Sequence, residues 1–432
     1  MLFFKNKNCR NIFNFFMASC VTLTLVMFCA FVLSRKDSRF KSKPFFTEKQ
    51  DIDVFFLGTS HGVNAFFPME LWEDFGIVSY NLSYHNALLP MQYWVLKNAL
   101  NYKKPKLVVI DLFWLSSSYK SDPSLFGTVH TVFDEFPLIW DKVLMANDIL
   151  DDDIPAARNP KAKFGLLFPF SVYHTRWTEF YTDNFNIGVE KGAESRIAVN
   201  TIAVSFEPIE RDNKISEDSI GIIYLKKIIE LCKDKEIDIL PVYLPFAAWA
   251  SCQREANAGY SIAKNYKINY LNFLEHIDIL DFDTDLYDSV GHLNPSGARK
   301  VNDYLGKYIL ENYNIQNKKE NPLYKKWHDD YNEYREFKIS NLKAQTSLET
   351  YLMLLSDKHF TSKIEIYKPE VLQNKIHLSL IKNSGGDIID SSIKTAYEKN
   401  VDVMITVFDC DTIIDRAVFI KDETGNVVKT QY

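Results

Sequence analysis

The chain is poor in cysteine, has no excess of basic charge and has no histidine pair at metal-ligand spacing. Its six cysteines are scattered: Cys9, Cys20 and Cys29 belong to one N-terminal apolar region, and Cys232, Cys252 and Cys410 lie beyond it. An odd, sparse set of this kind provides neither a disulfide framework nor a zinc cluster. None of the nine histidines stands in an H-x-x-H or H-E-x-x-H pattern, so the expectation is no metal and no cofactor. A net charge of −6 argues against the cationic surface that nucleic acid requires. Internal repeats and low-complexity tracts are missing as well, which excludes a solenoid array.

What is present fits a globular protein. A hydrophobic share of 47% with 25% charged residues excludes wholesale disorder. The 432 residues suffice for two domains, or for one large domain with additions. The 32 Phe and 23 Tyr suit a packed core or a sugar-binding groove, and composition does not separate those uses.

The uncharged, mostly apolar stretch from Ile12 to Leu33 is long enough to cross a bilayer as a helix. A cleavable signal peptide has a shorter apolar region and a small-residue cleavage site. Here Arg35-Lys36 follows the run at once, so residues 1–45 read as an uncleaved single-pass membrane anchor. Lys5, Lys7 and Arg10 precede the span, but Arg35, Lys36, Arg39, Lys41 and Lys43 follow it. The positive-inside count therefore does not favour an external domain.

Beyond the anchor, Asp51 to Leu57 reads as a buried strand closed by Gly58. Ile77 to Leu82 is a second strand, Leu89 to Tyr102 a helix, and Leu107 to Leu112 a third strand after the helix stop at 103–106. Residues 115 to 214 break this rhythm and read as an insertion with little regular structure, including a solvated acidic run, Asp151-Asp152-Asp153. Alternation resumes with a helix capped by Ser216, a strand from Ile237 to Leu244, a helix over 253–265 and a strand from Ile268 to Phe273. Asn294-Pro295 then starts a helix to Asn312. Strands and helices in alternation predict an α/β, doubly wound parallel sheet over 46–313. Residues 314–345 read as a charged helical connector carrying Trp327, Tyr331 and Tyr334. Residues 346–432 read as a small C-terminal α+β domain. Its expected strands are Lys363 to Tyr367, Val401 to Phe408, Thr412 to Ile420 and Val427 to Thr430, with a hairpin turn at 422–426.

Two motifs carry chemistry. Gly58-Thr59-Ser60-His61 follows the first strand directly, and Asp288-Ser289-Val290-Gly291-His292 precedes the helix at Pro295. A serine hydroxyl becomes a nucleophile only beside a base, and the base needs an orienting partner. Loops converge at the C-terminal edge of a doubly wound sheet, so the fold can unite Ser60 as nucleophile, His292 as general base and Asp288 as orienter. Taken singly, Ser60 is equally a turn serine and His292 a helix-capping residue.

The pairing resembles the SGNH (GDSL-like) hydrolase superfamily, whose fold is flavodoxin-like, and in particular its membrane-anchored members. Gly58-Thr59-Ser60 matches the first motif, and His292 to Gly297 is similar to the His-Leu-Asn-x-x-Gly signature of D-alanyl transfer and alginate acetylation relatives. The family places its aspartate three residues before the histidine. Here that position is Ser289, so Asp288 and Asp285 both stand as orienters. The family takes oxyanion donors from a glycine and an asparagine in its second and third motifs, besides the serine N–H. Tyr80-Asn81-Leu82-Ser83 resembles the second block without its glycine, and Leu112-Phe113-Trp114 stands where the third would be. Asn81 is the side-chain candidate, with a strand-ending turn residue as the alternative. His61 and His85 are substrate-contact or structural histidines. Within Tyr173-His174-Thr175-Arg176-Trp177, His174 and Arg176 read as a clamp for an anionic sugar, or Arg176 as the ion-paired neighbour of a buried Trp177.

The resemblance implies a serine esterase or O-acyltransferase acting on acetyl or D-alanyl groups of a cell-surface polysaccharide. It also implies an extracytoplasmic domain and a multi-pass membrane acyltransferase as partner. The alternative on the same fold is a non-catalytic carbohydrate-binding or assembly scaffold.

Overall fold

A computed structural model describes residues 7–33, 41–120, 126–150, 162–178, 187–202, 207–245, 249–390 and 401–430. The acidic run at 151–153 lies outside the described residues.

Five short strands build the first sheet: β1 (Val54–Leu57), β2 (Ser79–Asn81), β3 (Leu107–Asp111), β4 (Asp238–Tyr243) and β5 (Leu271–Asn272). All pair in parallel in the order β2-β1-β3-β4-β5, the flavodoxin-like doubly wound order. Strands covered on both faces have no reason to alternate with polar residues, which is why β1 and β3 read as continuous apolar runs. Phe55, Leu57, Val108, Ile110 and Ile239 pack to one side, against helices Leu89–Ala99, Ile220–Asp234 and Ala250–Tyr266. Val54, Phe56, Leu107, Val109 and Leu240 pack to the other, against Pro68–Phe75 and Pro295–Asn312.

Three expectations change. The stretch 115–214 contains helices Phe126–Phe133, Trp140–Ile149 and Ala162–Leu167, so its described residues hold more regular structure than expected, though less than half of them are helical. Met145, Ala146, Ile149 and Leu166 lie in the same core as β1, and pieces this short leave little periodicity to read. The helix after the insertion is capped by Ser219, whose hydroxyl accepts the Ile222 N–H at 3.2 Å, rather than by Ser216. The strand expected over 268–273 is only Leu271–Asn272, because the Asn272 side chain caps the 3-10 turn that begins at Phe273.

A second sheet holds β6 (Thr361–Ile366), β7 (Asp387–Asp390), β8 (Val403–Asp409), β9 (Thr412–Lys421) and β10 (Val427–Thr430) in the order β10-β9-β8-β6-β7. It is mixed: β6 and β7 run in parallel, and the other pairs are antiparallel. Its core is separate, built on Leu352, Ile364, Val403, Ile405 and Phe419. The helix Lys325–Ala344 joins the two units by packing, since Trp327 is fully buried against Trp72 with ring centres 5.7 Å apart. Lys338 lies between Glu73 and Asp357, 2.9 Å from a carboxylate of each.

The helix Lys7–Leu33 stands apart from both cores. Its segment Arg10–Leu33 is long and apolar enough to cross a membrane or to serve as a signal sequence, and none of its residues is buried in the rest of the chain.

Candidate active site

The turn after β1 is crowded, and the crowding dictates glycine. A Cβ on Gly58 would lie 3.1 Å from both the Cβ of Asp111 and the Oγ of Ser83, and one on Gly62 would meet Ser83 Oγ at 2.5 Å. The helix Ser60–Ala65 starts immediately, with Thr59 as its N-cap accepting the His61 N–H. Ser60 is thereby held at the C-terminal end of β1, beside β3, where the strand order reverses and the crevice of such a sheet lies.

The loop carrying His292 is organised by Asp288. Its Oδ1 accepts the backbone N–H groups of Val290 at 3.0 Å, Gly291 at 3.0 Å and His292 at 3.1 Å. Gly291 has φ +105°, a conformation that side chains disfavour, and this lets the loop close so tightly. The other oxygen, Oδ2, accepts the His292 Nδ1–H at 2.8 Å, and His292 Nε2 lies 2.7 Å from Ser60 Oγ. A proton kept on Nδ1 leaves Nε2 as the acceptor of the serine O–H. Burial pushes the Asp288 carboxyl pKa up. The bonds from the His292 ring and from backbone N–H groups outweigh it, so the net pKa is below the usual range and the group stays ionised.

Two devices bring residues 232 positions apart into contact. The first is Asn302, buried in the helix Pro295–Asn312. It accepts the Phe67 N–H at 3.1 Å and donates to the carbonyls of Ala65 and Ala298, both at 2.6 Å. The second is a strap over residues 190–200. Asn64 donates to the Glu194 carbonyl at 2.8 Å and the Glu194 N–H to Val63 at 3.1 Å, which ties the strap to the Ser60 helix. The Asn200 N–H donates to the Leu286 carbonyl at 2.9 Å and Asn294 to Ala198 at 3.0 Å, which ties it to the His292 loop.

Aromatic rings line the imidazole. His61 lies 4.6 Å from His292 at 25°, and Tyr287 lies 5.4 Å from it at 24°. His61 is buried, and burial, followed by the charge His292 can carry, pushes its pKa well below the ordinary value. It is therefore a neutral packing partner of His292. His85 faces the Glu194 carboxylate at 3.4 Å, and Arg196 pairs with the same group at 2.7 Å. Glu194, Arg196 and Tyr287 went unread in the sequence, since no spacing connects them to either motif.

The remaining candidates fall elsewhere. Asp285 is not the partner of His292; its carboxylate takes Ser296 Oγ at 2.7 Å, Lys300 Nζ at 2.6 Å and the Asp281 N–H at 2.7 Å. Asn81 is fully buried, with its amide given to the carbonyls of Gly62 and Phe66 at 2.8 Å each and its oxygen taken by the Ser83 N–H. Both amide hydrogens are spent, so the expectation of an oxyanion donor at Asn81 is corrected to that of a structural staple. His174 and Arg176 sit on the insertion, where Arg176 contacts Leu33 and the Tyr173 ring and no described contact links either residue to Ser60. Trp177 is 71% exposed, which overturns its reading as a buried residue. Among the described residues one trio has the grouping of metal ligands, Glu73, Asp357 and His359. The Lys338 ammonium already lies on two of the three, which leaves a cation little electrostatic reason to bind there.

No protein-family model matches the chain, and no curated protein is significantly similar to it. Among solved structures, a crystal structure from Bacteroides fragilis NCTC 9343, described as "a putative acylhydrolase", is similar at a TM-score of 0.31 and 11% identity. The likeness covers 63% of this chain and 95% of that one. At that level it bears on nothing in the chemistry that follows.

Proposed function

We propose that the protein is a serine acyl-hydrolase or O-acyltransferase of the SGNH type, with Ser60 as nucleophile, His292 as general base and then acid, and Asp288 as orienter. The observation that carries this reading is the continuous hydrogen-bond chain Ser60–His292–Asp288, with links of 2.7 and 2.8 Å. In the first step Ser60 Oγ attacks an ester carbonyl while its proton passes to His292 Nε2. The imidazolium returns that proton to the leaving alkoxide, leaving an acyl-serine. Water or a sugar hydroxyl then gives up a proton to His292 and releases the acyl group, so hydrolysis and transfer use the same three residues. The Ser60 N–H, in the first helical turn and without an intrahelical acceptor, is the oxyanion donor of this reading.

The proposed setting is a membrane surface, with Arg10–Leu33 as anchor, the large domain outside, and an acylated surface polysaccharide as substrate. A multi-pass membrane acyltransferase is the proposed acyl source. The competing reading is a non-catalytic carbohydrate-binding or assembly scaffold, favoured by one observation: Asn81, the side-chain amide expected as an oxyanion donor, has both hydrogens engaged. A fluorophosphonate probe separates the two. Covalent labelling of the wild type, lost in Ser60→Ala and strongly slowed in His292→Ala, is expected. A wild type that stays unlabelled beside a reactive control esterase leaves the scaffold.

A further inference from the structure

We infer that the segment 162–178 is a membrane-interface foot: an aromatic and cationic surface that lies in the lipid headgroup region beside the exit point of the N-terminal helix. The inference rests on reading Arg10–Leu33 as a membrane span, and it is independent of the Ser60 chemistry.

The surface is built from three short helices, Ala162–Leu167, Phe170–Tyr173 and the 3-10 turn Arg176–Thr178. Phe164, Val172 and Trp177 are 56%, 44% and 71% exposed, which is costly for side chains of this size in water. They do not stand singly. Phe164, Phe168, Phe170 and His174 form a ladder of ring contacts with centres 5.7, 6.0 and 6.1 Å apart. The ladder is fixed to the folded core, since Tyr173 donates to Asp134 at 2.7 Å and Asp134 also holds His130 at 2.9 Å.

The occupant follows from what the foot touches. Arg176 donates from Nη1 to the Leu33 carbonyl at 3.3 Å, and so satisfies one of the orphan carbonyls at the helix C-terminus. Lys43 Nζ lies 4.5 Å over the ring of Phe31, two residues earlier in the same last turn. The last turn of an apolar helix that is nowhere buried and is long enough to cross a membrane thus lies against the foot. Wherever that helix leaves the hydrocarbon, Phe164, Val172 and Trp177 lie at headgroup depth, with Arg176 and Lys43 placed for phosphates. Chain length restricts the placement further. Lys41 follows Leu33 by eight residues, a reach of at most about 29 Å. Lys41 is already fixed to the α/β unit, its carbonyl accepting the Tyr80 hydroxyl at 2.8 Å. An aqueous protein partner for this surface would have to displace the bilayer that the adjoining helix requires.

The test uses the full chain in phospholipid vesicles whose acyl chains are brominated near the headgroup, with Trp emission as readout. The emission that Trp177→Phe removes is the contribution of Trp177. That contribution is expected to fall by about half or more in brominated relative to plain vesicles. Phe164→Trp in the Trp177→Phe background should restore a quenchable component. Equal Trp177 contributions in both vesicle types, with the chain resisting alkaline extraction, overturn the foot while leaving the anchor intact. Alkaline extraction that strips the wild type from the vesicles overturns the anchor, and the foot with it.

Discussion

Asp288 performs two tasks through two oxygens, and Asp288→Asn separates them. Oδ1 carries three backbone N–H bonds and Oδ2 carries the single bond to the imidazole. Asparagine retains one carbonyl oxygen, enough for the three backbone bonds, and presents an NH2 where Oδ2 stood. Facing a donor, the ring makes Nδ1 its acceptor and moves its proton to Nε2, which then points at Ser60 Oγ. The base is lost while the loop remains. Expected is a slowing of fluorophosphonate labelling of roughly 10²–10⁴-fold, with an apparent Tm within about 3 °C of wild type. Asp288→Ala should slow labelling comparably and also cost roughly 1–3 kcal/mol, because the three N–H groups lose their acceptor. Asp285→Asn is the counter-test. It disturbs the bonds to Ser296, Lys300 and Asp281, so it should lower the Tm while labelling persists. Wild-type labelling in Asp288→Asn would refute the orienting role, and loss of labelling in Asp285→Asn at unchanged Tm would move that role to Asp285.

Two further substitutions examine the scaffold beneath the site. Asn302→Ala strands the Phe67 N–H and the Ala65 carbonyl in the core; a loss of roughly 2–4 kcal/mol and slower labelling are expected in thermal unfolding and probe kinetics, and an unchanged Tm would refute the staple. Asp111, buried under Gly58, has its carboxyl pKa pushed up to about 7, first by burial and also by Glu255, against the pull of backbone N–H groups. A carboxyl raised in the fold lends stability that is complete below its unfolded pKa of about 4 and lost as pH rises through the folded value. Asp111→Asn removes that loss, so its stability relative to wild type should be greater at pH 8 than at pH 5, by up to roughly 3 kcal/mol, because part of the loss is already complete by pH 5; a pH-independent difference would refute the reasoning.

The parts legible in the sequence are those whose signal is local. β1 and β3 stand out because strands buried on both faces are unbroken apolar runs, and Asn294-Pro295 because a cap and a first-turn proline announce a helix. The serine motif directly follows β1, and the histidine motif directly precedes that helix. The aspartate offset was ambiguous in sequence because Asp285 and Asp288 both lie shortly before His292 and the position three before it is Ser289. Only coordinates distinguish Asp288, wrapped on its own loop, from Asp285, bonded to Lys300.

Much of what ties the site together was not legible because it depends on buried asparagines. Asn64, Asn81, Asn294 and Asn302 are all essentially inaccessible, and each links backbone groups far apart in the chain. In sequence Asn81 reads as a turn residue and Asn294 only as a cap, because the side chain favours such local bonds, and Asn64 and Asn302 give no signal. Once buried, an amide's donors cost free energy unless they are bonded, and here carbonyls of other segments take at least one amide hydrogen of each of the four. The same requirement removes Asn81 from the oxyanion role, since a side chain with no exposure cannot hold a donor in reserve for a substrate. Any donor for a developing oxyanion must come from groups the fold leaves open. In the proposed reading the first-turn N–H of Ser60 meets that condition through helix geometry alone.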